Sequence, residues 1–272
     1  MLDSFFQLAC PFQALLATLF TWGITALGAC IVFFMRTPNR NIMDAMLGVA
    51  SGVMIAAAFW SLLAPSIEMS EALGMIPWLV ALAGVFGGGL LLFAGDWLFT
   101  RVSETRLKAA DTHFTSRSGF KRCAMLVFSI TLHNIPEGMA IGVVFGSLAY
   151  HLDGATEAGA WLLALGIGLQ NLPEGMAVSL PLRREGLSPR KSFFYGQLSG
   201  IVEPIAGFLG ALLVLKVRSC LPFLLAFAAG AMIYVVVEEL IPESQTNENK
   251  RWMALFTLLG FSIMMVLDVA LG

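Results

Sequence analysis

Two neighbouring stretches of the chain carry nearly the same run of polar residues inside an apolar sequence. The first reads HNIPEGMA over 133–140 and the second reads QNLPEGMA over 170–177, so six of the eight positions are identical. In a helix, His133 and Glu137 are four residues apart and therefore lie on one face, with Asn134 beside them. The second copy places Gln170, Asn171 and Glu174 in the same way.

Imidazole, amide and carboxylate groups gathered in this way suit a divalent cation. Mixed nitrogen and oxygen ligands favour borderline ions such as Zn²⁺, Fe²⁺, Mn²⁺, Co²⁺ or Cd²⁺, and the lack of a thiolate argues against Cu(I). The four cysteines are far apart and form no CxxC pair, so neither a thiolate zinc site nor a disulfide framework is indicated. Pro136 and Pro173 cannot donate a backbone hydrogen bond, which predicts a kink and a freed carbonyl in each motif.

The helices that must position these residues have the composition of membrane spans. The chain has 272 residues, of which 58% are hydrophobic and 12% charged, and a mean hydropathy of +0.81. A spanning helix needs about 20 apolar residues, and the charge clusters divide the chain into eight such stretches. They are 12–35, 43–65, 76–100, 122–149, 158–181, 192–215, 220–241 and 252–271. We therefore predict one all-α integral membrane domain over 1–272, with a polar cytoplasmic loop over 101–121.

The positive charges predict the orientation of this domain in the lipid bilayer. Fourteen of the sixteen Lys and Arg residues lie in the first, third, fifth and seventh connections between spans. Because Lys and Arg accumulate on the cytoplasmic side, both termini are predicted to lie outside. The formal net charge is −2, so there is no basic face for nucleic acid, and nucleic-acid binding is excluded as a main role.

Three carboxylates lie inside the predicted spans. Glu137, Glu174 and Glu203 follow the residues at which their spans enter the membrane, Arg122, Glu157 and Lys191, by fifteen, seventeen and twelve residues, or about 18–26 Å at 1.5 Å per residue. That depth is the middle of an apolar layer about 30 Å thick, where an ionisable group marks a functional site by default. A structural alternative is a helix-kinking device whose polar groups bond to one another. One copy would fit that alternative, whereas two copies with Glu203 favour a cation site.

The two motifs, with SGIVEPIAG over 199–207 and AAGAMIYVVVEELIPES over 228–244, resemble the ZIP family of divalent-metal transporters in its bacterial GufA-like branch. The resemblance covers spans two to eight. It implies eight helices in a 3+2+3 inverted-repeat bundle, elevator-like alternating access and a homodimer in the bacterial cytoplasmic (inner) membrane. It also implies import of a divalent metal, zinc first and then cadmium, iron or manganese, as a transported ligand and with no prosthetic group.

The same resemblance implies a binuclear metal centre midway through the membrane. One ion would be held by His133, Glu137, Gln170 and Glu174. The second would be held by Asn134, Asn171 and Glu203, with Glu137 and Glu174 bridging the two ions. This chain departs from the family at two of these positions, because many members have His at Gln170 and relatives in this branch can carry a carboxylate at Asn171.

Further carboxylates near the span ends are candidates for a pathway to and from this centre. Under the predicted topology, Glu68 and Asp268 close spans at the outer face and are candidate entrance residues. The candidate exit residues lie toward the inner ends of spans two, three and seven, namely Asp44, Asp96, Glu238 and Glu239. Carboxylates at helix ends are often only solvated at the interface, which is the plain alternative for each.

Two other functions use the same residues. An intramembrane metalloenzyme would need an HExxH pair or a GxSxG-like nucleophile turn, and neither occurs in the chain. A metal-selective channel has the same ligands as a carrier, because alternating access rather than ligand type defines a carrier. The absence of GxxxxGK[ST] gives no indication of ATP-driven transport.

Overall fold

The computed structural model describes residues 8–35, 39–106, 117–150, 156–246 and 248–271. Over these ranges the chain is helical and contains no strand. We label the long helices in chain order: α1 (Cys10–Phe33), α2 (Arg40–Ala72), α3 (Pro77–Arg106), α4 (Arg117–Ser147), α5 (Glu157–Arg184), α6 (Pro189–Lys216), α7 (Leu221–Ser244) and α8 (Lys250–Leu271). Short 3₁₀ turns follow at Leu148–Tyr150 and Arg218–Cys220.

Over the described residues, six of these helices are long and apolar enough to cross a membrane, namely α1, α2, α3, α6, α7 and α8. This finding confirms an all-α, multi-pass membrane protein. The helices α4 and α5 have 31 and 28 residues and carry the two polar motifs. All eight predicted stretches therefore lie within helices, give or take a few residues at their ends.

The connection predicted over 101–121 is more helical than expected. α3 continues to Arg106 and α4 already begins at Arg117, so both ends of the predicted loop belong to helices. Residues 107–116 lie outside the described part of the chain. The reason is that Arg, Glu and Lys are good helix formers, so a helix can continue past the end of its apolar segment.

Three helices are interrupted near prolines or glycines. α2 contains a π-helical turn at Ala58–Leu63 just before Pro65, and α7 contains one at Val236–Leu240 just before Pro242. A widened turn accommodates a proline, which lacks an N–H and crowds the carbonyl four residues earlier. α6 consists of the helices Pro189–Ser199 and Val202–Lys216, which are separated by a turn at Gly200.

The most extensive helix packing joins α4 with α6, α3 with α7, α2 with α8 and α1 with α5, and α1 also packs along α6. Glycines bring the backbones together where the polar motifs meet their neighbours. A Cβ atom at Gly138 of α4 would meet the backbone of Glu203, and one at Gly175 of α5 would meet the backbone of Thr25 in α1. Small residues at such crossings allow helices to approach closely without side chains between them.

Candidate metal centre

The seven predicted ligands converge in the interior of the bundle. α4 supplies three of them, α5 supplies three, and the first turn after the break in α6 supplies Glu203. Each of the seven side chains is at most 5% exposed. The helices α4 and α5 remain helical through Pro136 and Pro173. The structure therefore places both motifs and Glu203 in the buried interior of the bundle.

The amide side chains are held so that their oxygens remain available. Gln170 Nε2 donates to Glu137 Oε1 at 2.7 Å, and Asn134 Nδ2 donates to the carbonyl oxygen of Ser199 at 2.9 Å. Asn171 Nδ2 donates to both carboxylate oxygens of Glu203, at 2.9 and 3.0 Å. Because an amide donates through nitrogen and accepts through oxygen, these bonds leave each amide oxygen free to accept or to bind a cation.

Six buried acceptor atoms of the centre have no hydrogen-bond donor in the described part of the chain. They are Asn134 Oδ1, Glu137 Oε2, Gln170 Oε1, Asn171 Oδ1 and both carboxylate oxygens of Glu174. Buried polar atoms are normally hydrogen-bonded, so such a group of acceptors requires an explanation. Buried carboxylate and amide oxygens without donors, together with the imidazole of His133, are the ligand types that suit a divalent cation.

The imidazole and the carboxylates do not form a preset cage by themselves. Within the described ranges, no group of three or more His, Cys, Asp or Glu side chains is placed to hold a metal ion. A cation bound here would therefore need amide oxygens and small side-chain adjustments to complete its coordination shell. Such a shell would differ from the closed, tetrahedral cage of a structural zinc site.

Glu203 differs from the other two carboxylates because both of its oxygens have donors, whereas Glu137 has a donor to one oxygen and Glu174 to neither in the described part of the chain. Thr21 Oγ1 lies 2.5 Å from Glu203 Oε2 and Thr25 Oγ1 lies 3.5 Å from Oε1, in addition to the bonds from Asn171. Neither threonine was predicted from the sequence, because a hydroxyl in an apolar span has no distinguishing pattern. The available signal was their spacing with Thr18, which places three hydroxyls on one face of α1.

A large cavity, which we call the vestibule, leads to the centre from the end of the bundle where α5 finishes. Its volume is about 630 Å³, and His133 and Glu174 line it. Further charged residues along its wall are Arg184, Glu185, Glu238, Glu239 and Glu243. The carboxylates among these lining residues outnumber the single guanidinium group, that of Arg184, so the vestibule attracts cations. Glu238 and Glu239 were candidates from the sequence, whereas Glu185 and Glu243 were not.

The candidate exit residues occupy three different environments. Glu239 Oε2 lies 2.9 Å from His133 Nε2 and so connects the vestibule wall with the centre. Asp96 of α3 is half-buried and close enough to Glu238 for their charges to interact. Asp44 is buried at the start of α2, where its Oδ2 lies 3.7 Å from Arg40 Nε.

A second and smaller cavity lies at the opposite end of α5, beside Thr156. Its volume is about 120 Å³, and it is lined by Asp268, Ser61 and Trp60 among other residues. Ser61 Oγ donates to Asp268 Oδ1 at 2.8 Å. None of the seven residues of the centre, all of which are described, lines this cavity. Glu68, the other candidate entrance residue, is exposed on α2.

A comparison with known proteins identifies the family. The family model described as "ZIP Zinc transporter" matches residues 116–268, which is more than half of the chain. The chain belongs to the ZIP zinc transporter family. The resemblance inferred from the two motifs is thereby confirmed. Membership in the ZIP family makes the chain a membrane transport protein of metal ions and not an enzyme.

Curated ZIP proteins are similar to the chain over nearly its whole length. It is 41% identical to zinc transporter ZIP11 of Homo sapiens, over 96% of this chain and 98% of that protein. It is 35% identical to zinc transporter GufA of Myxococcus xanthus, over 95% of this chain and 98% of that protein. It is 34% identical to zinc transporter ZIPB of Bordetella bronchiseptica, over 92% of this chain and 79% of that protein.

Proposed function

We propose that this ZIP protein imports Zn²⁺ into the cytoplasm through the centre formed by α4, α5 and α6, with Cd²⁺, Fe²⁺ and Mn²⁺ as further substrates. The observation that carries the proposal is the group of six buried acceptor atoms without donors in the described part of the chain, two of which belong to Glu174 on the wall of the acidic vestibule. Zinc is placed first because the similar proteins are named zinc transporters.

We further propose a single transporter domain over 1–272 that spans the bacterial cytoplasmic (inner) membrane eight times, with both termini outside. The helices α4 and α5 are the two additional spans. Their 31 and 28 residues correspond to about 46 and 42 Å, which exceeds an apolar layer of about 30 Å. Their polar motif residues are buried in the bundle, so lipid does not contact them.

The packing pattern supports a 3+2+3 inverted repeat. An inverted repeat would relate α1, α2 and α3 to α6, α7 and α8 in that order, and α4 to α5. Under this relation, the packed pair α1–α5 corresponds to α6–α4. The packed pair α2–α8 likewise corresponds to α7–α3. The sequence retains a trace of this relation, because GVMI at 52–55 in α2 corresponds to GAMI at 230–233 in α7. A π-helical turn and a proline follow in both helices.

The distribution of the ligands supports elevator-like alternating access. The proposed ligands all belong to α4, α5 and α6, and α1 packs on α5 and α6. We propose that α1, α4, α5 and α6 move as one body against a frame of α2, α3, α7 and α8. The vestibule lies between the two sets, since His133 and Glu174 face Leu47 and Glu239 across it. Closing the vestibule and opening the small cavity beside Asp268 would reverse the access. The homodimer remains a proposal from the family resemblance.

In the proposed transport step, a hydrated ion exchanges water for protein ligands at the centre. The first ion would bind His133, Glu137, Gln170 and Glu174. The second would bind Asn134, Asn171 and Glu203, with Glu137 and Glu174 bridging. The carboxylates compensate the charge of the cations, and the amide oxygens complete the shell. A shell that depends on neutral amides binds strongly enough to admit the ion and weakly enough to release it toward Glu239 and Glu238.

The test is metal uptake by proteoliposomes that contain the purified full chain. Saturable Zn²⁺ and Cd²⁺ uptake is expected for the wild type and is expected to collapse in Glu137→Ala and Glu174→Ala. Glu248→Ala removes an exposed carboxylate between α7 and α8 and serves as the matched control. Unchanged uptake in either motif variant, once insertion and folding have been verified, would overturn the proposal.

A carrier and a metal-selective channel are separated by the same vesicles. Metal preloaded inside accelerates the uptake of labelled metal through a carrier, because the loaded site returns faster than the empty one. A channel gives no such acceleration. We expect acceleration, since the centre connects to the vestibule while the cavity beside Asp268 is lined by none of the ligands.

A further inference from the structure

We propose that Thr21 of α1 is a positioning residue for the second metal ion. Thr21 holds two proposed ligands of that ion, Glu203 and Asn171, in their binding orientation. The inference rests on the proposed function and deepens it. It adds α1, which carries none of the predicted ligands, to the construction of the centre.

The hydroxyl of Thr21 has one proton and two acceptors within reach. Its Oγ1 lies 2.5 Å from Glu203 Oε2 and 3.1 Å from the carbonyl oxygen of Thr18. The bond to the carboxylate is shorter and charge-assisted, and such bonds are about twice as strong as neutral ones. The proton of Thr21 is therefore donated to Glu203 when that carboxylate is ionised.

The backbone of Thr21 holds the second ligand. Asn171 Nδ2 donates to the carbonyl oxygen of Thr21 at 3.2 Å and to both oxygens of Glu203. The amide nitrogen is thereby fixed, and Asn171 Oδ1 is left as a buried acceptor without a donor. Thr21, Asn171 and Glu203 form one network that joins α1, α5 and α6.

Two threonine hydroxyls of α1 lie near Glu203, and Thr21 makes the shorter contact. Glu203 follows the break in α6, and a Cβ atom at Gly200 would lie 3.2 Å from both Glu203 Oε1 and Thr25 Oγ1. Thr25 has weaker contacts, at 3.5 Å from Glu203 Oε1 and 3.4 Å from the carbonyl oxygen of Thr21. Thr21 thus makes the closest hydroxyl contact with the carboxylate.

Among the described residues, no hydrogen bond joins α1 to a proposed ligand of the first ion. Gln170 donates to Glu137 at 2.7 Å, and both residues belong to the two motif helices. Loss of the Thr21 hydroxyl should therefore weaken the binding of the second ion and leave the binding of the first ion unaffected. Removing a side chain that orients a metal ligand typically costs about 10–100-fold in metal affinity.

The experiment is calorimetric titration of the purified full chain in detergent with Zn²⁺ and, separately, with Cd²⁺. Thr21→Val removes the hydroxyl at nearly constant volume and keeps the backbone carbonyl, whereas Thr21→Ser retains the donor. Thr18→Val is the matched control, because Thr18 is fully buried one turn away and its hydroxyl donates to its own helix, at 2.7 Å from the carbonyl oxygen of Ala14.

We expect two ions per protomer in the wild type, and in Thr21→Val a Kd for the second ion weakened about tenfold or more with the first Kd unchanged. Thr21→Ser should bind the second ion with the wild-type affinity, and Thr18→Val should bind both ions like the wild type. Thr21→Ala gives a second hydroxyl-free variant if the valine variant does not fold.

Four results would overturn the inference. Equal metal binding by Thr21→Val and Thr18→Val, or equal loss of both ions in both variants, would mean that Thr21 only packs. A wild type that binds a single ion, with an affinity unaffected by Thr21→Val, would overturn the inference and leave the transport function intact. A wild type that binds no metal would overturn the proposed function as well.

Discussion

His133 of α4 and Glu239 of α7 are distant in sequence, yet His133 Nε2 lies 2.9 Å from Glu239 Oε2. The contact crosses between the two sets of helices that we propose to move against each other. It also places the first carboxylate of the vestibule directly beside a proposed metal ligand. Under the proposed function, an ion that leaves His133 would therefore meet Glu239 without first crossing an apolar barrier.

We predict that Glu239→Gln slows metal release. The substitution keeps the shape of the side chain and removes the charge beside the centre, so the maximal uptake rate should fall about three- to tenfold with little change in KM. Initial rates of Zn²⁺ uptake in proteoliposomes measure both constants. Glu243→Gln, another vestibule carboxylate but exposed to solvent, is the control and should remain within about twofold of the wild type. Equal effects of the two variants would mean that only the total charge of the vestibule matters.

Gln170→His should strengthen binding of Zn²⁺ and Cd²⁺. An imidazole nitrogen suits these borderline ions better than an amide oxygen does, whereas Mn²⁺ prefers oxygen ligands. We expect KM for Zn²⁺ to fall about tenfold relative to KM for Mn²⁺. Competition between the two metals for uptake measures this ratio directly. Gln170→Asn keeps an amide on a shorter side chain, so a similar change in both variants would argue against ligand identity as the cause.

Asp268→Asn tests the small cavity as the outer end of the pathway. Asparagine retains a hydrogen-bonding partner for Ser61 Oγ, which donates to Asp268 at 2.8 Å, and removes the charge that attracts a cation. The expected result is a KM raised about three- to tenfold with the maximal rate retained, because capture rather than translocation is weakened. Glu68→Gln, which neutralises an exposed carboxylate on α2, is compared in parallel. A lowered maximal rate with normal KM would assign Asp268 to the conformational change instead.

Gly138→Ala should destabilise the protein and distort the centre. The added methyl group would lie 2.6 Å from the Cα atom of Glu203, so α4 and α6 must separate. Overpacking of this kind costs about 1–3 kcal/mol, which lowers the thermal unfolding temperature and weakens metal binding together. In Gly23→Ala the new methyl group meets nothing within 4 Å in the described part of the chain, so the unfolding temperature should be unchanged or slightly higher. Thermal unfolding in detergent with and without Zn²⁺ checks both variants, and an unaltered Gly138→Ala would contradict the close approach of α4 and α6.

The number and approximate ends of the helices were predictable from the sequence, because a lipid bilayer restricts which residues a spanning helix can contain. A helix that crosses an apolar layer needs a long apolar segment, so charge clusters mark where helices end. An ionisable group in the same apolar layer carries a large free-energy cost, so Glu137, Glu174 and Glu203 could be recognised as candidate functional residues. The ends of α3 and α4 were less predictable, because helices outside the apolar layer no longer need apolar residues and extend through charged ones.

The sequence by itself determined the helical membrane architecture and the residue types of the centre, since burial in lipid leaves a strong signal in each short segment. Only the tertiary structure decided how those residues are held. The bonds from Thr21 and Asn171 to Glu203, the contact between His133 and Glu239, and the acidic vestibule join residues of different helices. Such contacts depend on how the helices pack against one another, and a hydroxyl or a carboxylate near a helix end carries no local pattern that reveals its distant partner.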